Sequence, residues 1–348
     1  MPRHTLWGFL ALYLLLAGCS QPTMETVLAD YAERLERVLE VTVSTPGAGS
    51  EPRFPSRREL TLPVPEMRMG MLDFLSLYSC ELNSLIGQRN SVLGRVMTPS
   101  QTLLYEQKFM KLARVCLQSL EAEDSMHEVL GSVLETKERH RGHYEWNAVM
   151  ATKEMQHLMS SRGGLLALEP RQDWRATQEA LEILAGWAGQ PEWPDSGFER
   201  VNKQLARGPS VGRLILEGYR IESWLDAVNI AMRKRAEGRP LCLSGRPTRR
   251  STIAVNVLTH VFVGQIQPVL VRHLRERSRI LPSVVALARS YRALWPRAWQ
   301  QWSEVMLPES FVTGARLRQK VREHVALWKK VLAPCGWSPG NENGNAAQ

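Results

Sequence analysis

From residue 67 to residue 333, apolar side chains recur at steps of three and four, and this spacing constrains the fold more than any other feature. It gathers the apolar residues of each segment on one helical face. Candidate helices cover 67–90, 99–120, 124–139, 143–160, 172–188, 197–207, 210–236, 250–276, 282–303 and 309–333. An earlier amphipathic segment, 23–40, sets Val27, Tyr31, Leu35, Val38 and Leu39 opposite its charges. Strand signals are nearly absent, because no Asn-Gly or Asp-Gly pair of the body sits between alternating apolar runs. The expected class is therefore all-α, a bundle-like body of about ten helices. Residues 41–66 hold five prolines and alternate weakly at Leu60, Leu62 and Val64, which reads as an extended connector. Pro268 interrupts an apolar run and is expected to kink or break its helix. Residues 23–337 read as one all-α domain; a seam, if the body has one, falls at 162–172. Residues 338–348 carry no large apolar side chain and are expected to be a disordered tail.

Residues 1–18 have the parts of an export signal: Arg3 and His4, an apolar stretch from Leu6 to Leu16, then small residues. The stretch is shorter than the roughly 20 residues that span a bilayer. Leu16-Ala17-Gly18-Cys19 resembles the lipobox of bacterial lipoproteins. That resemblance implies cleavage after Gly18, a diacylglycerol thioether on Cys19 and acylation of the new amino terminus, so that 19–22 form a lipidated start. Two or three acyl chains exceed what stable anchoring needs. Ser20 stands where inner-membrane lipoproteins often carry Asp, which favours the outer membrane with the body facing the periplasm. The alternative is a secreted protein whose leader happens to end near a cysteine.

Forty-four basic residues against 35 acidic ones give a formal charge of +9, a balance that ordinarily suggests nucleic acid. Export removes nucleic acid from the list of partners. It leaves anionic lipid, lipopolysaccharide phosphate, an acidic protein, or a basic surface that is simply solvated. Four cysteines besides Cys19, in an oxidising compartment, suggest two disulfides. Thr98-Pro99-Ser100-Gln101 is a capped helix start, so the helices before and after it form an antiparallel pair. Cys80 and Cys116 each lie 18 residues from Thr98 and should meet. Cys242 and Cys335 are left to pair with each other. The same count sets Arg89 close to Glu106, which suggests an ion pair across the hairpin tip.

Gly208-Pro-Ser-Val-Gly212 has the spacing of a serine-hydrolase elbow, but a polar helical segment enters it where a strand is required. Ser210 reads instead as an N-cap. His140, His143, Glu138 and Glu145 are the one compact set of metal-ligand types, but Arg139 and Arg141 flank them and oppose a cation. A solvated polar stretch is the better reading, and neither a metal nor a cofactor is expected. Trp295, Trp299 and Trp302 form a helical stripe, with Trp328 in the next helix; core packing is favoured over a sugar-stacking or partner surface. Arg272–Arg279, 233–235 and 246–250 concentrate positive charge, either as a solvated face or as one drawn to lipid head groups.

Residues 74–120 resemble an uncharacterised family of gammaproteobacterial lipoproteins of unknown function. The likeness rests on Cys80, Arg89, Asn90, Ser91, Gly94, Arg95, Pro99, Ser100, Gln101, Tyr105, Glu106 and Cys116. It extends over most of the chain after the leader and implies no activity. It draws attention to the hairpin tip, where Arg89, Asn90, Ser91, Arg95 and Glu106 form either a ligand or partner site or a network that fixes the turn. The expected function is a membrane-anchored binding or scaffold module of the cell envelope, contacting envelope protein, glycan or lipid. The alternatives are a peptidoglycan or ester hydrolase with a dispersed active site, and a carrier holding an apolar molecule among its helices.

Overall fold

A computed structural model describes residues 22–47, 51–65, 77, 80–91, 96–121, 125–166, 168 and 172–337. The leader, Cys19, Arg95 and the 338–348 tail lie outside the described residues, as does most of the stretch from 66 to 79. Among the described residues the elements are helices with no strand, so the chain is all-α. In order they are α1 (Met24–Leu39), α2 (Arg57–Leu60), α3 (Glu81–Asn90), α4 (Pro99–Ser119), α5 (Ser125–Arg139), α6 (Arg141–Met150), α7 (Lys153–Leu158) and α8 (Arg175–Trp187). There follow α9 (Asp195–Arg207), α10 (Val211–Glu237), α11 (Arg249–Asn256), a π-helical segment (Val257–Ile266), α12 (Gln267–Arg289), α13 (Arg297–Met306), α14 (Glu309–Val312) and α15 (Ala315–Leu332).

Several boundaries differ from those the periodicity suggests. Cys80 is not inside a helix: it is the extended N-cap of α3, at φ −102° and ψ 143°. The stretch 143–160 divides at Thr152, whose side chain accepts from the Met155 N–H at 3.1 Å and starts α7. Pro268 breaks nothing. The ten residues before α12 wind as a π-helix, and the altered bonding there lets a residue without an N–H stand at the next helix start. Helix then runs unbroken from Arg249 to Arg289, through Pro282, instead of ending near 276. The break comes at Ser290–Pro296, so Trp295 precedes α13 and is not on one helix with Trp299 and Trp302. The last expected helix also divides, at Gly314, whose φ of +74° favours glycine. A Cβ there would lie 2.7 Å from Leu274 Cδ2.

Buried apolar residues collect in three clusters. One joins α6 to α9 with the ends of α10 and α12 and with α13, and includes Trp146, Trp174, Trp299 and Trp302. The tryptophans of α13 are thus core packing; Trp299 meets Trp146 edge-on at 6.0 Å. A second joins α1, the other part of α10, the π-segment and α15. A third, smaller one lies within α3, α4 and α5. Both expected disulfides are present: Cys80–Cys116 fastens the third cluster, and Cys242–Cys335 ties the loop after α10 to the end of α15. Residues 51–65 run extended apart from α2. Their prolines supply no N–H, and the body provides donors to their carbonyls. Trp146 Nε1 donates to Leu60 O at 2.6 Å, Gln156 to Pro55 O at 2.8 Å, and Asn147 both donates to and accepts from Leu62.

Candidate functional site

Of the hairpin-tip residues, Arg95 lies outside the described residues, and the others make the following contacts. Glu106 is buried and pairs with Lys137 of α5 at 2.5 Å, not with Arg89. Lys137 also stands 4.6 Å from the Phe109 ring centroid. The Arg89 guanidinium lies over Tyr105, 5.6 Å from the centroid, and the Ser91 hydroxyl donates to Gln88 O at 2.7 Å. Asn90 is the last residue of α3. Among the described residues these contacts join α3 to α4 and α4 to α5.

The metal-type residues are also engaged elsewhere. His140 Nδ1 meets Thr136 O at 2.8 Å, His143 Nδ1 meets Pro63 O at 2.7 Å, and Glu138 accepts from Arg114. Glu145 accepts from the Gly189 N–H at 2.9 Å; burial pushes its carboxyl up, and that bond draws it partly back. Among the described residues no three metal-ligating side chains converge.

A cleft forms where Gly208–Gly212 meets the turn after α7. Ser210 is the N-cap of α10: its hydroxyl donates to Ser160 O at 2.5 Å and accepts from the Arg213 N–H at 3.2 Å. The motif's glycines permit close packing. A Cβ on Gly212 would lie 2.1 Å from Met159 O, and one on Gly208 would lie 2.2 Å from Thr177 Oγ1. The facing turn reverses through Gly163 and Gly164, at φ +86° and +72°. Arg213 pins that turn through its Nε, 2.8 Å from Gly164 O, and through a second bond to Leu165 O. The resulting cleft has a volume of about 900 Å³, and its described lining includes Arg53, His157, Arg162 and Arg213 and, among the described residues, no carboxylate. Among the described residues neither Arg53 nor Arg162 forms an ion pair. Three guanidinium groups with no carboxylate partner among the described residues suit an anionic group. A smaller pocket shares Arg53, Phe54 and Ser161 with the cleft and adds Trp302 and Met306 together with Glu25 and Glu51, both of which pair with Arg220. Sequence reading found Ser210 but not Arg53, which lies more than a hundred positions away; the paired glycines at 163–164 were the available signal for the turn.

Between the first two apolar clusters lies a buried charged layer that the sequence conceals. His273 Nδ1 is 2.8 Å from Glu217 Oε2, and His273 Nε2 has no hydrogen-bond partner. Arg277, 0% exposed, donates to Glu222 at 3.2 Å and lies 4.4 Å from the Phe311 centroid. Arg316 donates to the other Glu222 oxygen. Burial pushes the Arg277 guanidinium down, and Glu222 opposes the shift. Glu217 and His273 are an acid–histidine pair, but neither lines any of the clefts described. The layer joins α10, α12 and α15 and reads as structural.

No curated protein and no solved structure matches the chain. Residues 28–339 match a family model, and that span takes in α1 from Leu28, both disulfides, the cleft and the charged layer. The chain therefore belongs to the family described as a protein of unknown function, DUF3080.

Proposed function

We propose that the protein is a lipid-anchored module of the cell envelope, held through Cys19 to the periplasmic face of the outer membrane, and that it works by binding. Its ligand is an anionic group on an envelope glycan, lipid or protein, received by Arg53, Arg162 and Arg213. The observation that carries this reading is the cationic lining of the 900 Å³ cleft, which has no carboxylate among its described residues. The leader and the lipobox-like Leu16–Cys19 support the location, and two disulfides fit an oxidising compartment. The alternative, a peptidoglycan or ester hydrolase, calls for a polar cleft with two acids or with a histidine beside an acid. Glu217 and His273 make such a pair away from any cleft described, and this favours binding over catalysis.

Titration calorimetry with glycerol 3-phosphate and N-acetylmuramic acid tests the cleft. At least one probe should bind, and Arg53→Gln/Arg162→Gln should weaken it about tenfold or more, roughly 1.4 kcal/mol. Failure of both probes, or equal binding by the variant, would overturn the anion reading. Mass spectrometry of the intact protein tests the anchor separately: Cys19 should be the first residue and carry lipid mass.

A further inference from the structure

The helical rod from Arg249 to Arg289 contains seven arginines and one carboxylate, Glu276. Its outer face exposes apolar groups; Val263 and Val271 are 47% and 48% exposed. Around Pro268 these valines meet Arg272, Arg275 and Arg279 in a shallow groove of about 580 Å³. Guanidinium groups beside exposed valines match the layering of a bilayer surface, with phosphate outside and acyl carbon beneath.

The course of the chain brings the start of α1 near this groove along the rod. α1 runs antiparallel to the rod, because Glu40 pairs with Arg250 at 2.5 Å and the Tyr31 and Phe262 rings lie 5.8 Å apart. Nine residues separate Pro22 from Tyr31, and nine separate Phe262 from Val271, so the start of α1 lies level with the groove. The Pro22 carbonyl accepts from the Leu168 N–H at 3.1 Å, four residues before Gln172, which lines the groove. Cys19 is three residues from Pro22, at most about 11 Å of chain.

We propose that this face docks on an anionic phospholipid surface, with Arg272, Arg275 and Arg279 on head-group phosphates and Val263 and Val271 at the acyl boundary. The orientation rests on Cys19 being the lipid anchor; the contact itself does not. Glu276 lies in the same groove; burial pushes its carboxyl up, and the Arg272 charge draws it partly back.

The test uses the mature chain beginning at Ser20, exported behind a cleavable signal so that it carries no acyl group; it retains every described residue. Vesicles of phosphatidylglycerol and phosphatidylcholine in equal parts should carry it in flotation, and vesicles of phosphatidylcholine alone should not. Arg272→Gln/Arg275→Gln/Arg279→Gln should weaken the partitioning on the order of 100-fold, taking about 1 kcal/mol for each basic residue. Lys329→Gln/Lys330→Gln, on another helix, should change it no more than severalfold. Absence of binding to the anionic vesicles, equal binding to neutral ones, or equal loss in both variants would overturn the proposal. So would self-association without vesicles that the triple variant abolishes, which would mean that a second copy covers the face. None of these results bears on the lipid mass at Cys19, so failure of the docking face and failure of the anchor are distinguishable.

Discussion

Acid should destabilise this protein through one histidine. His324 is fully buried in α15, and its two ring nitrogens have distinct partners. Asn229 Nδ2 donates to Lys320 O at 3.0 Å, so its Oδ1 is the end that accepts the proton of His324 Nδ1, at 2.8 Å. Nε2 is then the acceptor, taking the Tyr31 hydroxyl at 2.6 Å, while Trp328 Nε1 donates to the same hydroxyl at 2.8 Å. A second proton on the ring would place a charge among donors and apolar side chains. Burial accordingly lowers its pKa from 6.5 to about 3. Because the folded value is depressed, the unfolded chain takes up a proton first as pH falls. Stability from this site is complete above the unfolded value and is lost progressively between about pH 6.5 and pH 3. At pH 4.5 the unfolded histidine is two units below its pKa, and the loss is about 2.7 kcal/mol at roughly 1.36 kcal/mol per unit. Urea unfolding followed by tryptophan fluorescence at pH 7.0 and pH 4.5, disulfides intact, measures the difference. His324→Gln should be less stable at both values, but its loss on acidification should be smaller than that of the wild type by about 2.7 kcal/mol. An equal loss in both proteins would refute the neutral, buried assignment.

Other expectations concern the crosslinks, the charged layer and the turns. Replacing Cys242 and Cys335 by serine opens a loop of 93 residues and should cost about 4.6 kcal/mol in the chain-entropy treatment, against about 3.8 kcal/mol for the 36-residue loop of Cys80 and Cys116; denaturant midpoints would show the order. Glu222→Gln leaves Arg277 without its carboxylate and should cost about 3–5 kcal/mol, whereas changing Glu222, Arg277 and Arg316 together to apolar residues should cost less. Ser210→Ala should cost about 0.5–2 kcal/mol by calorimetric melting, the loss of one helix cap. Gly314→Ala meets both a positive φ and Leu274 and should lower the melting temperature more than Gly131→Ala, where a Cβ finds open space.

Local signals identified much of this architecture. The Thr98 cap and the equal count to Cys80 and Cys116 located a disulfide even though Cys80 lies one residue outside α3, because register within a hairpin depends on distance from the turn. Pro268 misled because a π-helical segment precedes it, and nothing in the residue types marks that winding. The run Arg272–Arg279 looked like a solvated face, yet it mixes environments: His273 and Arg277 point inward, while Arg275 and Arg279 are exposed. Helical spacing alone places residues four apart together, and that is how the pair at 273 and 277 could have been suspected. Their partners Glu217 and Glu222 are more than fifty positions away, beyond the reach of any periodic argument. The cleft was hidden for the same reason, since its arginines come from the proline-rich connector, the turn after α7 and the first turn of α10.

The two larger apolar clusters also bear on how the molecule comes apart. α10 and α12 pass through both clusters, and α1 completes with α15 a core that neither terminus can build alone. A fragment that stops before α10, or one that begins at α10, would present raw apolar faces, and the second would also strand Arg220, whose partners Glu25 and Glu51 lie in the first. Separate expression of either piece should therefore give insoluble material, while mixing the two during refolding should rescue both.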